Sequence, residues 1–175
     1  MFMIEDLKIK CWRVKDAFKA FKQMFPYILL SFWMILIFYF SSQQGSISTN
    51  VTNDFISNII YFISNILNIE IDTETFMEIT HDIFGPVRKC AHFTLFFILS
   101  LIVFSIANKS LKLSFKEKII VTFLFCVFYA CTDEIHQLFV PGRTGRLFDV
   151  FIDSLGVLTG IIFNIIYIKF NRRMC

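Results

Sequence analysis

Charge is what this sequence has least of. Asp, Glu, Lys and Arg make up 18% of its 175 residues, against about 25% in a typical soluble domain. With 56% hydrophobic residues and 24 Phe, that shortage excludes an ordinary soluble fold and points to one membrane-embedded domain. Cysteine is sparse. Cys11, Cys90, Cys126, Cys131 and Cys175 form no CxxC and no metal-ligand spacing, which argues against a disulfide framework or a cysteine metal centre. Three of them lie in apolar runs, where a free thiol packs as a small hydrophobe. No repeat and no low-complexity segment is evident. A cleavable leader is not expected either: the first apolar run starts near Met24, has no small-residue cleavage site and ends in bulky residues. Basic residues are missing from residues 46–87, a stretch that holds six acidic ones.

What is present is apolar sequence in four long stretches. Residues 1–23 carry Lys8, Lys10, Arg13, Lys15, Lys19 and Lys22 and form a basic arm; residues 24–175 form the membrane domain. Spans are expected at about residues 24–41, 87–107, 119–139 and 147–168. Phe25 to Phe40 alone makes only about 24 Å of helix, short of the roughly 30 Å hydrocarbon core. Ala17, Phe18, Ala20, Phe21 and Met24 continue its apolar face upstream. In the loop 42–86, Val51, Phe55, Ile56, Ile59, Ile60, Ile63, Ile66 and Leu67 recur at helical spacing opposite Asn53, Asp54, Ser57 and Asn58, which predicts an amphipathic helix lying along the interface. A short helix is expected from Thr73 to Phe84, capped by Asp72 or Thr73, with Gly85-Pro86 breaking the chain after it. The fold class is therefore all-α, with four transmembrane helices and an interfacial helix in the first outer loop.

Loop charges set the orientation. The N-terminal arm, Lys109–Lys118 and the tail with Lys169, Arg172 and Arg173 fall on one side of a four-span chain, and cytoplasmic loops carry such an excess. Both termini are expected inside. Arg88, Lys89, Arg143 and Arg146 then sit at the outer ends, against the rule, and call for another explanation. The N-terminal basic run adjoins a span, so anionic lipid is its expected contact, not nucleic acid.

The polar residues converge at that outer end. Ser41, Ser42 and Gln43 close the first span. Arg88, Lys89 and His92 open the second. Asp133, Glu134, His136 and Gln137 lie near the end of the third, Arg143 and Arg146 in the turn, and Asp149 and Asp153 begin the fourth. Asp133 is about 9 Å below the outer helix end. Tyr129, Asp133, His136 and Gln137 share one helical face, and Glu134 points about a quarter-turn away. Asp149, Asp153, Gly156, Gly160 and Asn164 form a stripe with a GxxxG that admits a close helix neighbour from span two or three. Ionisable groups at this depth are costly and are commonly paired or functional.

Several readings of this cluster stand. The plainest is a structural network of ion pairs holding three helices together, although buried pairs rarely stabilise more than apolar packing. A second is a binding site in which Arg88, Arg143 and Arg146 take an anionic headgroup and Asp133 and Asp149 orient them. A third is catalysis, with His92 or His136 as general base, Asp133 orienting it and Ser41 or Ser42 as nucleophile; no Gly-x-Ser-x-Gly or phosphatase-like motif supports it. A metal held by His92, Asp133, His136 and Asp149 is chemically reasonable for Zn or Mn, but the spacing is not HExxH. No cofactor is expected.

These residues together resemble the VanZ-like family. The resemblance rests on Ser41-Ser42-Gln43, Arg88-Lys89 with Ala91-His92-Phe93, Asp133-Glu134 with His136-Gln137, Pro141-Gly142-Arg143, and Asp149 with Gly156, from about Ser31 to Ile168. Leu95 and Phe96 stand where Glu and Tyr often follow the His, and Asp153 stands where Asn is common. The first departure argues against an essential carboxylate at position 95. The resemblance implies a multi-pass protein of the bacterial cytoplasmic membrane that acts in the cell envelope. It further implies a contribution to low-level resistance to glycopeptides such as teicoplanin. The expected ligand is an isoprenoid-phosphate-linked wall precursor or the acylated drug, reached sideways from the lipid; the alternative is an enzyme acting on such a precursor.

Overall fold

The computed structural model describes the backbone of residues 2–43, 45–69, 72–143 and 145–174, and the side chains of residues 18–43, 50–69, 72–80, 82–143 and 145–171. The side chains of Lys8, Lys10, Cys11, Arg13, Lys15, Arg172, Arg173 and Cys175 lie outside the described residues. Five helices follow in order: α1 Phe2–Ser42, α2 Gly45–Leu67, α3 Thr73–Ser110, α4 Phe115–Gln137 and α5 Leu147–Met174. No strand occurs among the described residues. Four helices, Phe18–Ser42, Thr73–Ser110, Phe115–Gln137 and Leu147–Asn171, are long and apolar enough to cross a membrane.

Local chemistry explains where these helices start and stop. Asp72 caps α3 by accepting from the Thr75 amide at 2.8 Å and from its hydroxyl at 2.9 Å. The Thr75 amide bond, more than any other contact, lowers the Asp72 pKa, as bonding to the charged form does. Ser114 opens α4 with a capping box: it accepts from the Glu117 amide, and Glu117 reaches back to the Ser114 amide at 2.7 Å. Asn68 adopts φ 52° just past the end of α2, the left-handed stop that Asn tolerates. One expectation fails. Gly85-Pro86 does not break the chain; Pro86 lies inside the 38-residue α3. The short helix expected before it and the second span are one element. The apolar positions on both sides keep a common helical face, and the helix carries the cost of Pro86, one lost backbone bond and the crowding of its ring against the carbonyl four residues earlier.

The helices alternate in direction. Tyr27 donates to Ser110 Oγ at 2.8 Å, and Lys118 Nζ reaches Asn108 at 3.3 Å, so the first half of the apolar segment Phe18–Ser42 of α1, the end of α3 and the start of α4 share one end. Ser41 meets Asp133 at the opposite end. Thus α1 and α4 run one way, α3 and α5 the other. The core between them is Ile37, Phe96, Leu99, Val103, Cys126, Ala130, Val157 and Ile161. Two side-chain-to-backbone bonds cross it: Trp33 Nε1 to the Leu95 carbonyl at 2.9 Å and Tyr129 OH to the Met34 carbonyl at 2.6 Å.

The tightest seam joins α3 and α5. A Cβ at Gly160 would fall 2.6 Å from the Phe97 carbonyl, and one at Gly156 would collide with the Phe93 carbonyl. The GxxxG stripe therefore faces α3, one of the two neighbours its sequence allowed. Among its described residues helix α2 buries only Ile56 and Ile60; Val51, Phe55, Ile59, Ile63 and Ile66 remain exposed. The long helices likewise turn Phe32, Phe128, Phe151 and Phe163 outward, as lipid-facing surface requires.

Candidate functional site

At the end where α1 and α4 finish and α5 begins, two polar structures lie side by side. The first is a seam between α1 and α4. Ser41 Oγ donates to Asp133 Oδ2 at 2.5 Å, and Gln137 Nε2 donates to both, at 3.0 and 3.1 Å. All three residues are buried. Beside them Ser42 Oγ donates to the Phe38 carbonyl at 2.6 Å and lies 3.2 Å from His136 Nε2. The hydroxyl has one proton, so with that proton on the Phe38 carbonyl the pair with His136 requires the Nε2-protonated tautomer. The His136 ring stacks on Phe38 at 4.4 Å. Tyr129, Asp133, His136 and Gln137, which share one helical face, thus all engage α1.

The second is a cavity of about 270 Å³. Its polar lining comprises Arg88, Lys89 and His92 from α3, Glu134 and Gln137 from α4, Arg143 and Arg146 from the turn, and Asp149 and Asp153 from α5; Phe84, Gly85, Gly142 and Ile152 complete it. Glu134, a quarter-turn from the seam face, reaches this side.

The turn between α4 and α5 is fixed from both flanks. Arg143 Nε donates to the Gln43 carbonyl and Nη2 to the Phe40 carbonyl, each at 2.9 Å. The guanidinium thereby satisfies the end of α1, where carbonyls lack helical partners. Glu134 Oε1 accepts from the Arg146 amide at 2.5 Å, just before α5. Gly142 has φ 75°, a conformation that favours glycine. A Cβ at Gly145 would press on the Leu138 side chain at 2.6 Å and the Glu134 carbonyl at 2.9 Å.

Charges in the cavity wall act on one another through space but do not pair. Among the described residues, no ion pair joins Arg88, Lys89, Arg143 or Arg146 to Asp133, Glu134, Asp149 or Asp153. Lys89 instead sits 4.7 Å over the Phe148 ring. Arg143 is 9% exposed, and its Nη1 has no hydrogen-bond partner; Asp149 Oδ1 and Asp153 Oδ1 are also buried without one. Burial, then the like charge of Arg88, lowers the Arg143 pKa to about 10. The guanidinium stays protonated at neutral pH, but it is held there at a cost.

Several sequence expectations need correction on this geometry. Ser42, Asp133 and His136 belong to the α1–α4 seam and do not line the cavity; Gln43, just past α1, does not line it either, and its carbonyl accepts from Arg143. Asp133 orients neither an arginine nor a histidine; its hydrogen bonds go to Ser41 and Gln137, and its Oδ1 has none. Ser41 and Ser42 are both engaged in the seam, away from His92, the one histidine in the cavity lining. His92 and His136 fall on opposite sides of α4, and no three His, Cys, Asp or Glu side chains are grouped to hold a metal among the described residues. The structural ion-pair network is not what these charges form. Gly85, Phe84, Gly142 and Ile152 were not anticipated in the lining. Gly85 gave a signal that was read as a breaker, although a glycine inside an otherwise apolar helix also marks a place with room beside the backbone. Asp153 is 1% exposed, so the carboxylate that replaces the Asn common in the resembling family sits fully inside the bundle. Phe96 is completely buried in the core beside Leu95; positions 95 and 96 contribute packing.

Comparison with known proteins gives one match. The model of the VanZ/LLP1 family matches residues 25–168, which takes in two of the apolar helices whole, most of the other two, and every cavity residue named above. No curated protein and no solved structure shows a significant match. The chain belongs to the VanZ/LLP1 family of membrane proteins.

Proposed function

We propose that the chain works in the bacterial cell envelope by taking the acidic headgroup of a lipid-linked ligand into this cavity. The ligand is an isoprenoid-phosphate-linked wall precursor or an acylated glycopeptide such as teicoplanin, and the outcome is low-level drug resistance. One observation carries the reading: a buried guanidinium, Arg143, with Nη1 unpartnered and Arg88, Lys89 and Arg146 in the same wall. A fixed guanidinium is suited to phosphate or carboxylate. An anion there would relieve the mutual repulsion of Arg143 and Arg88. The exposed apolar flanks suit a ligand whose tail stays in the lipid.

In this reading the cavity opens in the outer leaflet. Lys19, Lys22, Lys109, Lys112 and Lys116 gather at the other end of the bundle, and that end faces the cytoplasm by the positive-inside rule. Catalysis on a lipid-linked precursor is the weaker reading, because among the described residues no serine, threonine or cysteine lines the cavity beside His92.

The test is sensitivity to teicoplanin in cells carrying Arg88→Ala or Arg143→Ala at matched membrane abundance. Both variants are expected to lose the protection. Full protection by both, at full abundance, overturns the reading.

A further inference from the structure

The carboxylates in the cavity wall are the feature that binding of a simple anion does not explain. Asp153 is 1% exposed, and its Oδ1 has no donor among the described residues. Asp149, one turn earlier on α5, also has a buried Oδ1 without a donor. Both line the same cavity as Arg143 and Arg88. A wall built for a phosphate alone gains nothing from two such acids, since they repel it. Asp149 favours the charge of Arg88 only through space; no ion pair joins either acid to an arginine among the described residues. A buried polar atom left without a partner costs free energy, more so if it is charged.

We infer that the headgroup taken by the cavity carries a primary amine as well as an acidic group, the amine lying against Asp149 and Asp153 and the acidic group against Arg143. This rests on the binding reading above and deepens it. An ammonium has three donors and no acceptor, so one group can serve two carboxylates spaced four residues apart on a helix. Arg143 Nη1 is left for the oxyanion. The charges of wall and ligand are then satisfied crosswise, which accounts for their lack of pairing within the chain. Two sources supply this chemistry in a bacterial membrane: an aminophospholipid, and a lipid-linked wall precursor whose peptide has a free amine.

The experiment uses the full chain, purified in detergent, with retained ligand counted by native mass spectrometry. One arm compares phosphatidylethanolamine with its N-acetyl derivative, which keeps the phosphate and removes the cationic amine. The other compares an isoprenoid-diphosphate-linked muropeptide with its N-acetylated form. In at least one arm the free amine is expected to bind about tenfold or more tightly, the worth of one charge-assisted hydrogen bond. Asp149→Asn with Asp153→Asn is expected to erase that preference. Equal retention of amine and N-acetyl forms by the wild type in both arms overturns this inference and leaves the anion-binding reading standing. No retention of any of the four overturns both. The wild-type comparison needs no variant, so a double variant that failed to fold would not shelter the claim.

Discussion

The least replaceable atoms at this end of the bundle are those with the fewest alternatives. Arg143 ties two carbonyls at the end of α1 and lines the cavity with the same guanidinium. Arg143→Lys keeps the charge and loses the fork that reaches Phe40 and Gln43 together. It is expected to lower thermal stability by about 1–3 kcal/mol, the cost of leaving buried groups without partners, and to weaken anion retention; thermal unfolding in detergent and ligand retention read the two effects separately. Ser41→Ala acts differently. It removes a donor from buried Asp133 and an acceptor from Gln137, whose side chain also lines the cavity, and leaves every charged residue of the wall in place. A similar loss of about 1–3 kcal/mol is expected, with ligand retention unchanged in the protein that remains folded. A large loss of binding in Ser41→Ala with normal stability would mean that the seam and the cavity are one site.

Between helices, the glycines make contrasting predictions. Gly156 and Gly160 meet α3 backbone so closely that a methyl has nowhere to go. Gly156→Ala should push α3 and α5 apart and cost about 1–3 kcal/mol, the range for overpacking a filled interior. At Gly85 a Cβ meets nothing within 4 Å apart from its own chain neighbours. Gly85→Ala should shift stability by less than about 1 kcal/mol, because the better helix propensity of alanine is offset by the crowding of its Cβ against the Pro86 ring. Thermal unfolding of Gly156→Ala and Gly85→Ala against wild type checks the contrast. The stripe through Gly156 and Gly160 was legible because small residues at helical spacing mean close approach whatever the partner. Gly85 was misread because Gly-Pro signals a turn on local grounds, whereas the continuity of α3 depends on apolar residues up to a turn away. Asp133 was misjudged for a related reason. Spacing shows that it shares a face with His136 and Gln137, but not that this face meets α1 while Glu134 meets the cavity.

For the molecule as a whole, the four apolar helices and the gathering of Arg88, Asp133, Arg143 and Asp149 at one end could be read from hydropathy and spacing, since helix length and direction fix depth. The division of that gathering into a seam and a cavity could not, since it depends on helix rotation about the long axis. The alternation of helix direction puts the lysine-rich end and the cavity at opposite ends. With single cysteines introduced at Lys112 and at Pro141 on a background lacking the native ones, an impermeant maleimide added to intact cells is expected to label position 141 and spare position 112. The opposite pattern would place the cavity in the inner leaflet and exclude an acylated drug arriving from outside.

The central claim is that a lipid-linked acidic headgroup occupies the space beside Gly85. Its most direct measurement is retention of an isoprenoid-diphosphate-linked muropeptide by purified wild-type protein and by Gly85→Trp, in which the indole fills the cavity while every charged residue of its wall is kept. Retention by the wild type, and at least a roughly tenfold loss in Gly85→Trp at unchanged thermal stability, is the predicted result. Equal retention by both proteins would contradict it.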